Sequence, residues 1–352
     1  VKEEKMKLTE LAAIGSGILL LFSGTFASAF TLPGTKALGM GGAFTAVADD
    51  ASCVFWNPAG LSQLGRFNLD LSLSASGENV EGFSNLYDLY KALEDQDYEA
   101  AKETIDKGIS APMSLEPTFS LEIAIARRLA LSGAVQTEFS VEKFEYNDSG
   151  PYVEIQDVET GIVPIYLTYA TALSSSPFTV GLNAKYIQGI RHSSHFKLLA
   201  TGDTEEMDPE QTSDAQTTMS FDLGILYSPE DSKLTYGLMV EDIFEPKVKF
   251  PEMTDPDLES LTLPRKVNFG VAFRGIPRIT LAADVHDITS NDRTFHIGGE
   301  LDLSLLKLRA GLNDGNLTYG LSLKLLFLNL EAAYCQRAKT PVVSLVLLRF
   351  GI

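Results

Sequence analysis

Residues Phe67 to Ser74 read Phe-Asn-Leu-Asp-Leu-Ser-Leu-Ser, apolar at every odd position and polar at every even one. A strand of that period presents one face to an apolar medium and the other to water. Fourteen such stretches follow one another, near residues 67–76, 117–126, 129–142, 162–171, 178–188, 217–227, 234–242, 265–273, 278–286, 294–303, 306–313, 317–325, 328–336 and 341–350. Many approach the ~9–11 residues with which a tilted strand crosses a bilayer. The even count leaves both ends of a closed sheet on one side. The expected fold class is all-β: a transmembrane antiparallel β-barrel of about 14 strands.

The connections support this reading. Those after even-numbered strands are tight, as at Arg127-Arg128 and Gly275 to Pro277, whereas residues 77–116, 143–161, 189–216 and 243–264 read as long outer loops. Acidic residues outnumber basic ones in each long loop, and together these loops hold most of the net charge of −19. A solvated outer surface accounts for that excess, and no loop has the spacing of a calcium-binding hand. In the first loop Phe83, Leu86, Tyr87, Tyr90 and Leu93 recur at helical spacing, continued by Tyr98, Ala101 and Ile105. This predicts one or two short amphipathic helices. Two readings stay open for them: a greasy capture site above the barrel mouth, carried by Phe83, Leu86, Tyr87 and Tyr90, or a simple cap.

Residues 1–29 read as a cleavable signal peptide: Lys2, Lys5 and Lys7 precede an apolar stretch from Leu11 to Phe22, and Ala27-Ser28-Ala29 supplies the small-residue site. The expected division is therefore 1–29 signal peptide, 30–66 an N-terminal segment outside the strands, and 67–352 the barrel. The acidity argues against nucleic acid as a partner. Two cysteines, Cys53 and Cys335, are too few for a disulfide-built scaffold; unpaired thiols or one bridge both fit.

Before the first strand, Gly34 to Leu61 is glycine-rich and does not alternate. Gly39-x-Gly41-Gly42 is not a nucleotide loop, because no strand precedes it and no βαβ unit surrounds it. The run Ala37-Leu38-Gly39-Met40-Gly41-Gly42-Ala43-Phe44, followed by Ala48-Asp49-Asp50 and Asn57-Pro58-Ala59-Gly60, resembles the N-terminal signature of FadL-type outer-membrane proteins. Their shorter PorV/PorQ-like and TraF-like relatives are the most similar. Gly181 to Ile187, Leu263-Pro264-Arg265 and Arg309 to Gly315 extend the resemblance along the chain.

The resemblance implies a barrel in the bacterial outer membrane whose N-terminal segment, residues 30–66, folds into the lumen as a hatch or plug. It implies passive uptake of hydrophobic, long-chain fatty-acid-like molecules, with no cofactor and with outer-membrane lipids around the wall. The alternative it carries is a non-transporting component of a secretion, conjugation or envelope assembly with protein partners, or a structural surface barrel. The hatch positions it assigns are Gly39, Gly41, Gly42, Asp49, Asp50, Asn57 and Pro58. Glycine lets backbone lie close to the wall, and the polar side chains pin an irregular segment. Strand parity nominates Glu138, Lys185, Asp222, Glu241, Lys266, Asp284, Glu300, Arg309, Lys324 and Glu331 to face inward and meet them. Gly133 is a candidate wall kink or an ordinary strand glycine. Enzyme and metal readings are weak: His192 and His195 lack a third ligand, and His286 with Asp284 lacks a nucleophile.

Overall fold

Burial decides which way the wall faces. In β1 (Phe67–Glu78), Asp70, Ser72, Ser74 and Ser76 are buried, while Leu69, Leu71 and Leu73 lie on the opposite face. In β2 (Met113–Ile125) the buried set is Glu116, Thr118, Ser120 and Glu122, and the outward set includes Phe119, Leu121 and Ile123. Polar side chains pair across the interior, as between the Ser72 and Ser120 hydroxyls at 2.7 Å. Leu131, Leu167 and Ile297 are each more than half exposed on the outer face. That inversion suits a wall bathed in hydrocarbon.

The computed structural model describes residues 32–95, 97–106, 113–147, 152–199, 204–325, 328–337 and 341–352. After β1 and β2 come β3 (Leu129–Asn147), β4 (Tyr152–Ala172), β5 (Phe178–Leu199), β6 (Thr204–Asp214), β7 (Thr218–Tyr227) and β8 (Leu234–Glu241). The short β9 (Lys247–Lys249) and β10 (Ser260–Thr262) form a separate hairpin. Then follow β11 (Lys266–Ile276), β12 (Ile279–His286), β13 (Thr294–Asp302), β14 (Leu306–Asn313), β15 (Asn316–Leu325), β16 (Leu328–Cys335) and β17 (Val342–Gly351). Fourteen strands close antiparallel, β17 returning to β1 from Asn68↔Gly351 to Ser76↔Val342. No edge is left between first and last strands, as a membrane wall requires.

Three of the expected loops are more ordered than their polarity suggests. Residues 143–161 and 189–216 largely continue the wall: β3 and β4 stay paired out to Asn147↔Tyr152, and β5 pairs with β6 from Ile190↔Asp214 to Leu198↔Thr204. Above the bilayer neither face of these strands meets hydrocarbon, so alternation fades while backbone pairing persists. Residues 243–264 carry the β9–β10 hairpin, whose Val248 and Phe250 are buried with Met253 against the inward Ile162 and Ile187. The guanidinium of fully buried Arg191 lies 4.2 Å from the centre of the Phe250 ring.

The first outer loop forms α1 (Val80–Glu94) and α2 (Tyr98–Asp106). Asp97 caps α2, its Oδ1 accepting from the Ala100 N–H at 3.0 Å. Leu89, Ala92 and Ala101, with half-buried Phe83 and Leu86, pack on Met113, Val141, Ile155 and Phe196. In strand parity these four partners belong to the outward face of the extended β2–β5 wall, opposite to inward residues such as Ser140 and Arg191. The helices therefore cover the outside of that wall rather than the mouth.

Candidate functional site: the filled lumen

Residues 32–66 are folded into the lumen as α3 (Thr35–Gly39), α4 (Cys53–Trp56) and a 3-10 turn at Pro58–Gln63. They are almost entirely buried from Thr35 to Ala48. The turns of this segment satisfy many of their own backbone groups, as where the Gly42 N–H donates to the Ala37 carbonyl at 2.8 Å, and the groups left over need partners from elsewhere. Asn57 supplies several at once: its Nδ2 donates to the Thr45 carbonyl at 2.8 Å and to the Ile225 carbonyl of β7 at 3.2 Å. Its Oδ1 accepts from the Ala59 N–H at 3.1 Å, starting the 3-10 turn at Pro58. Asp284 of β12 receives the Phe44 and Thr45 N–H groups on one oxygen, at 2.9 and 2.7 Å. The Asn183 side chain of β5 donates to the Val54 carbonyl at 2.8 Å.

The wall is cut away where these bends touch it. Gly181 and Gly224 face each other across β5 and β7, and a methyl group on either would strike the Asn57–Ala59 turn. Gly237 and Gly270 are opposite each other on β8 and β11 beneath Thr45 and Ala46. Gly298 and Gly311 are opposite on β13 and β14 beneath Met40 and Gly41. Each bend thus sits on a cross-strand glycine pair, the only residue type leaving room for backbone against backbone. Gly41 and Gly42 hold φ of 68° and 82°, a region closed to most side chains.

An ionic chain ties the same segment to the barrel seam. Lys36 lies 2.9 Å from Asp49 and 3.1 Å from Glu300. Glu300 meets its cross-strand neighbour Arg309 at 2.7 Å, and Arg309 meets Glu331 at 3.2 Å. Glu331 meets Arg349 at 2.6 Å, and Arg349 reaches Asp70 at 2.6 Å and Asp50 at 3.2 Å. Asp70 and Arg349 are register partners across β1 and β17, so the chain ends on the closing seam. On the opposite side Lys185 lies between Asp222 at 2.8 Å and Asp242 at 2.5 Å.

All seven motif residues therefore gather in the lumen. Gly39 lies against Gly320, Gly41 over Gly311, and Gly42 beside His296. Asp49 and Asp50 take Lys36 and Arg349, and Asn57 and Pro58 occupy the β5–β7 seat. Glu138, Lys185, Asp222, Asp284, Glu300, Arg309 and Glu331 are buried; Glu241 and Lys266 are half-buried cross-strand partners at the rim, and Lys324 is exposed at the tight-turn end. Phe83, Leu86 and Tyr87 lie apart from this group, on the outer helices: the first two pack inward on that small core and Tyr87 is exposed. The side chain of Tyr90 and residues 1–31 lie outside the described residues. Gly133 pairs regularly with Leu121 and Ile165. The interruption comes beside it: β3 loses its ladder pairs opposite Pro117 and opposite Pro164.

Arg349, Trp56 and the three glycine pairs were not nominated from sequence. Glycines at matching strand positions were visible, yet nothing local says which of them carry another backbone. Cys53 and Cys335 are unpaired, buried in separate clusters. His195 binds Asp208 at 2.6 Å and Glu154 at 2.9 Å, whereas His192 contacts Thr212; among the described residues no three potential ligands converge.

Above the N-terminal segment, at the long-loop end, lies a cavity of about 780 Å³. Its floor includes Leu32, Leu38 and Trp56. Ile162, Tyr166 and Ile187 form an apolar wall, continued by Leu261 and Leu263 of the hairpin region. The facing wall is polar, with Asn268, His286, Asp287 and Thr294. His286 stacks on His296 with ring centres 3.9 Å apart, and Asp284 is already engaged by segment backbone.

In fold the chain is similar to the toluene transporter TbuX of Ralstonia pickettii, with a TM-score of 0.55 and 11% identity over 92% of this chain and 100% of that one. It is similar to a FadL homologue of Pseudomonas aeruginosa, at 0.53 and 15% over 92% and 100%. The monoaromatic hydrocarbon channel CymD gives 0.57 and 12% over 92% and 99%. Such identities speak for the fold. The profile of the family described as "F plasmid transfer operon, TraF, protein" matches residues 108–286. No curated protein matches in sequence.

Proposed function

This chain belongs to the family of the F plasmid transfer operon TraF protein, and from that premise and its FadL-type fold we propose an outer-membrane channel for passive passage of hydrophobic small molecules. Residues 30–66 act as its hatch. The observation that carries this reading is the cavity above the hatch, half apolar and floored by Leu32, Leu38 and Trp56. A greasy solute gains free energy at such a wall and little in an open aqueous pore. Below the cavity the segment blocks the lumen, so passage requires the hatch to shift or the wall to part. The ladder is interrupted where Pro117 and Pro164 flank β3, which suits a lateral route. Capture at the first outer loop would rest on exposed Tyr87, since Phe83 and Leu86 are spent on packing.

A second reading has its own support. The ionic chain from Asp49 to Asp70 holds the hatch firmly, and the long acidic hairpins offer surface to protein partners. A non-transporting role in secretion, conjugation or envelope assembly would suit a fixed plug. Mass spectrometry of small molecules co-purifying with the detergent-extracted protein separates the two. Transport predicts an enriched apolar ligand that is lost or exchanged in a variant lacking residues 30–60. Absence of any enriched apolar molecule in both would count against a channel.

A further inference from the structure

We propose that the cavity above the hatch discriminates against carboxylates, taking apolar molecules whose polar end is neutral or cationic. This rests on the channel reading and narrows its substrate class. Three cations line the cavity: Lys185, Lys266 and Arg337. Lys185 is already held between Asp222 and Asp242. Lys266 stands in register with Glu241 of the neighbouring strand, itself part of the lining. Arg337 is left, and it shares the rim with Asp287, Asp292 and Asp314. Those three acids have no ion-pair partner among the described residues. Arg191, the other buried cation near the mouth, stacks on Phe250 and donates to the Leu258 carbonyl at 2.5 Å.

Among the described residues Arg337 alone of the three lining cations stands outside any ion pair or register pairing, and the lining sets six acids, Glu138, Glu241, Asp242, Asp287, Asp292 and Asp314, against the three, so a carboxylate entering this space meets net repulsion. Its desolvation cost is therefore not recovered. The acidic outer loops add a field of the same sign, lowering the local concentration of anions at the mouth. A hydroxyl or an amine on the same apolar tail avoids the penalty. The tail lies against Ile162, Tyr166 and Ile187 in each case, so the head group alone sets the difference.

Trp56 is the sole tryptophan of the chain and lies in the cavity floor, so its emission reports occupancy directly. The full chain in zwitterionic vesicles is titrated with octanol, octylamine and octanoate at a pH where octanoate is ionised, with bilayer partitioning measured separately. Octanol and octylamine are expected to change Trp56 emission at concentrations about tenfold lower than octanoate. The Asp292→Lys and Asp314→Lys pair, both exposed positions, is expected to bring octanoate within about threefold of octanol and to weaken octylamine. Octanoate acting as strongly as octanol in the unaltered chain, or a selectivity unmoved by charge reversal, would overturn the inference while leaving the channel reading intact. No response to any of the three would overturn both.

Discussion

Among the described residues two pieces of chain enter the barrel, and they are held by different physics. The N-terminal segment is a run of short turns seated on glycine pairs, with the Phe44 and Thr45 amides and its charged side chains met by side chains of strands around the lumen. The β9–β10 hairpin satisfies much of its own backbone and presents Val248, Phe250 and Met253 to an apolar patch. The first kind of contact is specific and fails as a unit, because a lost partner strands a buried polar group. The second is non-directional and scales with area, so it can be released locally. A plug that belongs to the barrel and a flap that only leans on it follow from that difference.

The comparison breaks most sharply at Arg349. Replacing it with alanine leaves Asp70, Glu331 and Asp50 without their shared cation, at a cost of about 3–5 kcal/mol. The thermal transition of the detergent-solubilised barrel, followed by circular dichroism, should fall accordingly; an unchanged transition would show the chain to be idle. Phe250→Ala removes a buried ring at a comparable cost of about 3–4 kcal/mol, but the loss should stay within the hairpin. Limited proteolysis should then cut within 243–264 while the barrel melts as before, and a joint collapse would erase the distinction drawn here.

Gly298→Val tests the seats themselves. The new side chain would press on the Met40 backbone, an overpacking worth about 1–3 kcal/mol. Protease should reach residues 32–66 in a barrel that still assembles; continued protection would mean the seats are dispensable. The smallest effect concerns the outer extension. Burial pushes the His195 pKa down, but hydrogen bonds from its ring to Asp208 and Glu154 outweigh this and hold it above 6.5. A raised folded value gives stability that is full below the unfolded pKa and lost as pH rises through the folded one. Amide protection along β6, relative to the intrinsic base-catalysed exchange rate, should therefore fall on going from acidic to alkaline pH in the native chain. His195→Gln should flatten that dependence, and an equal slope in both would remove His195 from the account.

Legibility differed by region for a physical reason. Where one face of a strand meets hydrocarbon and the other a polar lumen, composition alternates and each crossing is visible, as in β1 and β2. Beyond the bilayer neither face of β3–β6 meets hydrocarbon, so residues 143–161 and 189–216 read as loop although most of their described backbone is paired. Among candidate site residues, the motif positions Asp49, Asp50 and Asn57 were identifiable as pins, but their partners were not. Arg349 lies in the last strand, and Asp284 over two hundred residues from the amides it receives. The apolar helix pattern in the first loop was correct as helix, while its position outside the wall depended on which face of β2–β5 it met.

By itself, then, the sequence determined the strand count, the inside and outside of the wall, and the segment that does not belong to it. These are local properties: period two, turn length and a glycine-rich run carry them without reference to distant residues. Only the tertiary structure decided which glycines face each other beneath a bend, which acid meets which base, and where the cavity lies. Those depend on barrel closure, which brings β17 against β1 and sets residues 36, 300, 309, 331, 349 and 70 in one line. Register and closure are properties of the whole sheet, and no window of sequence contains them.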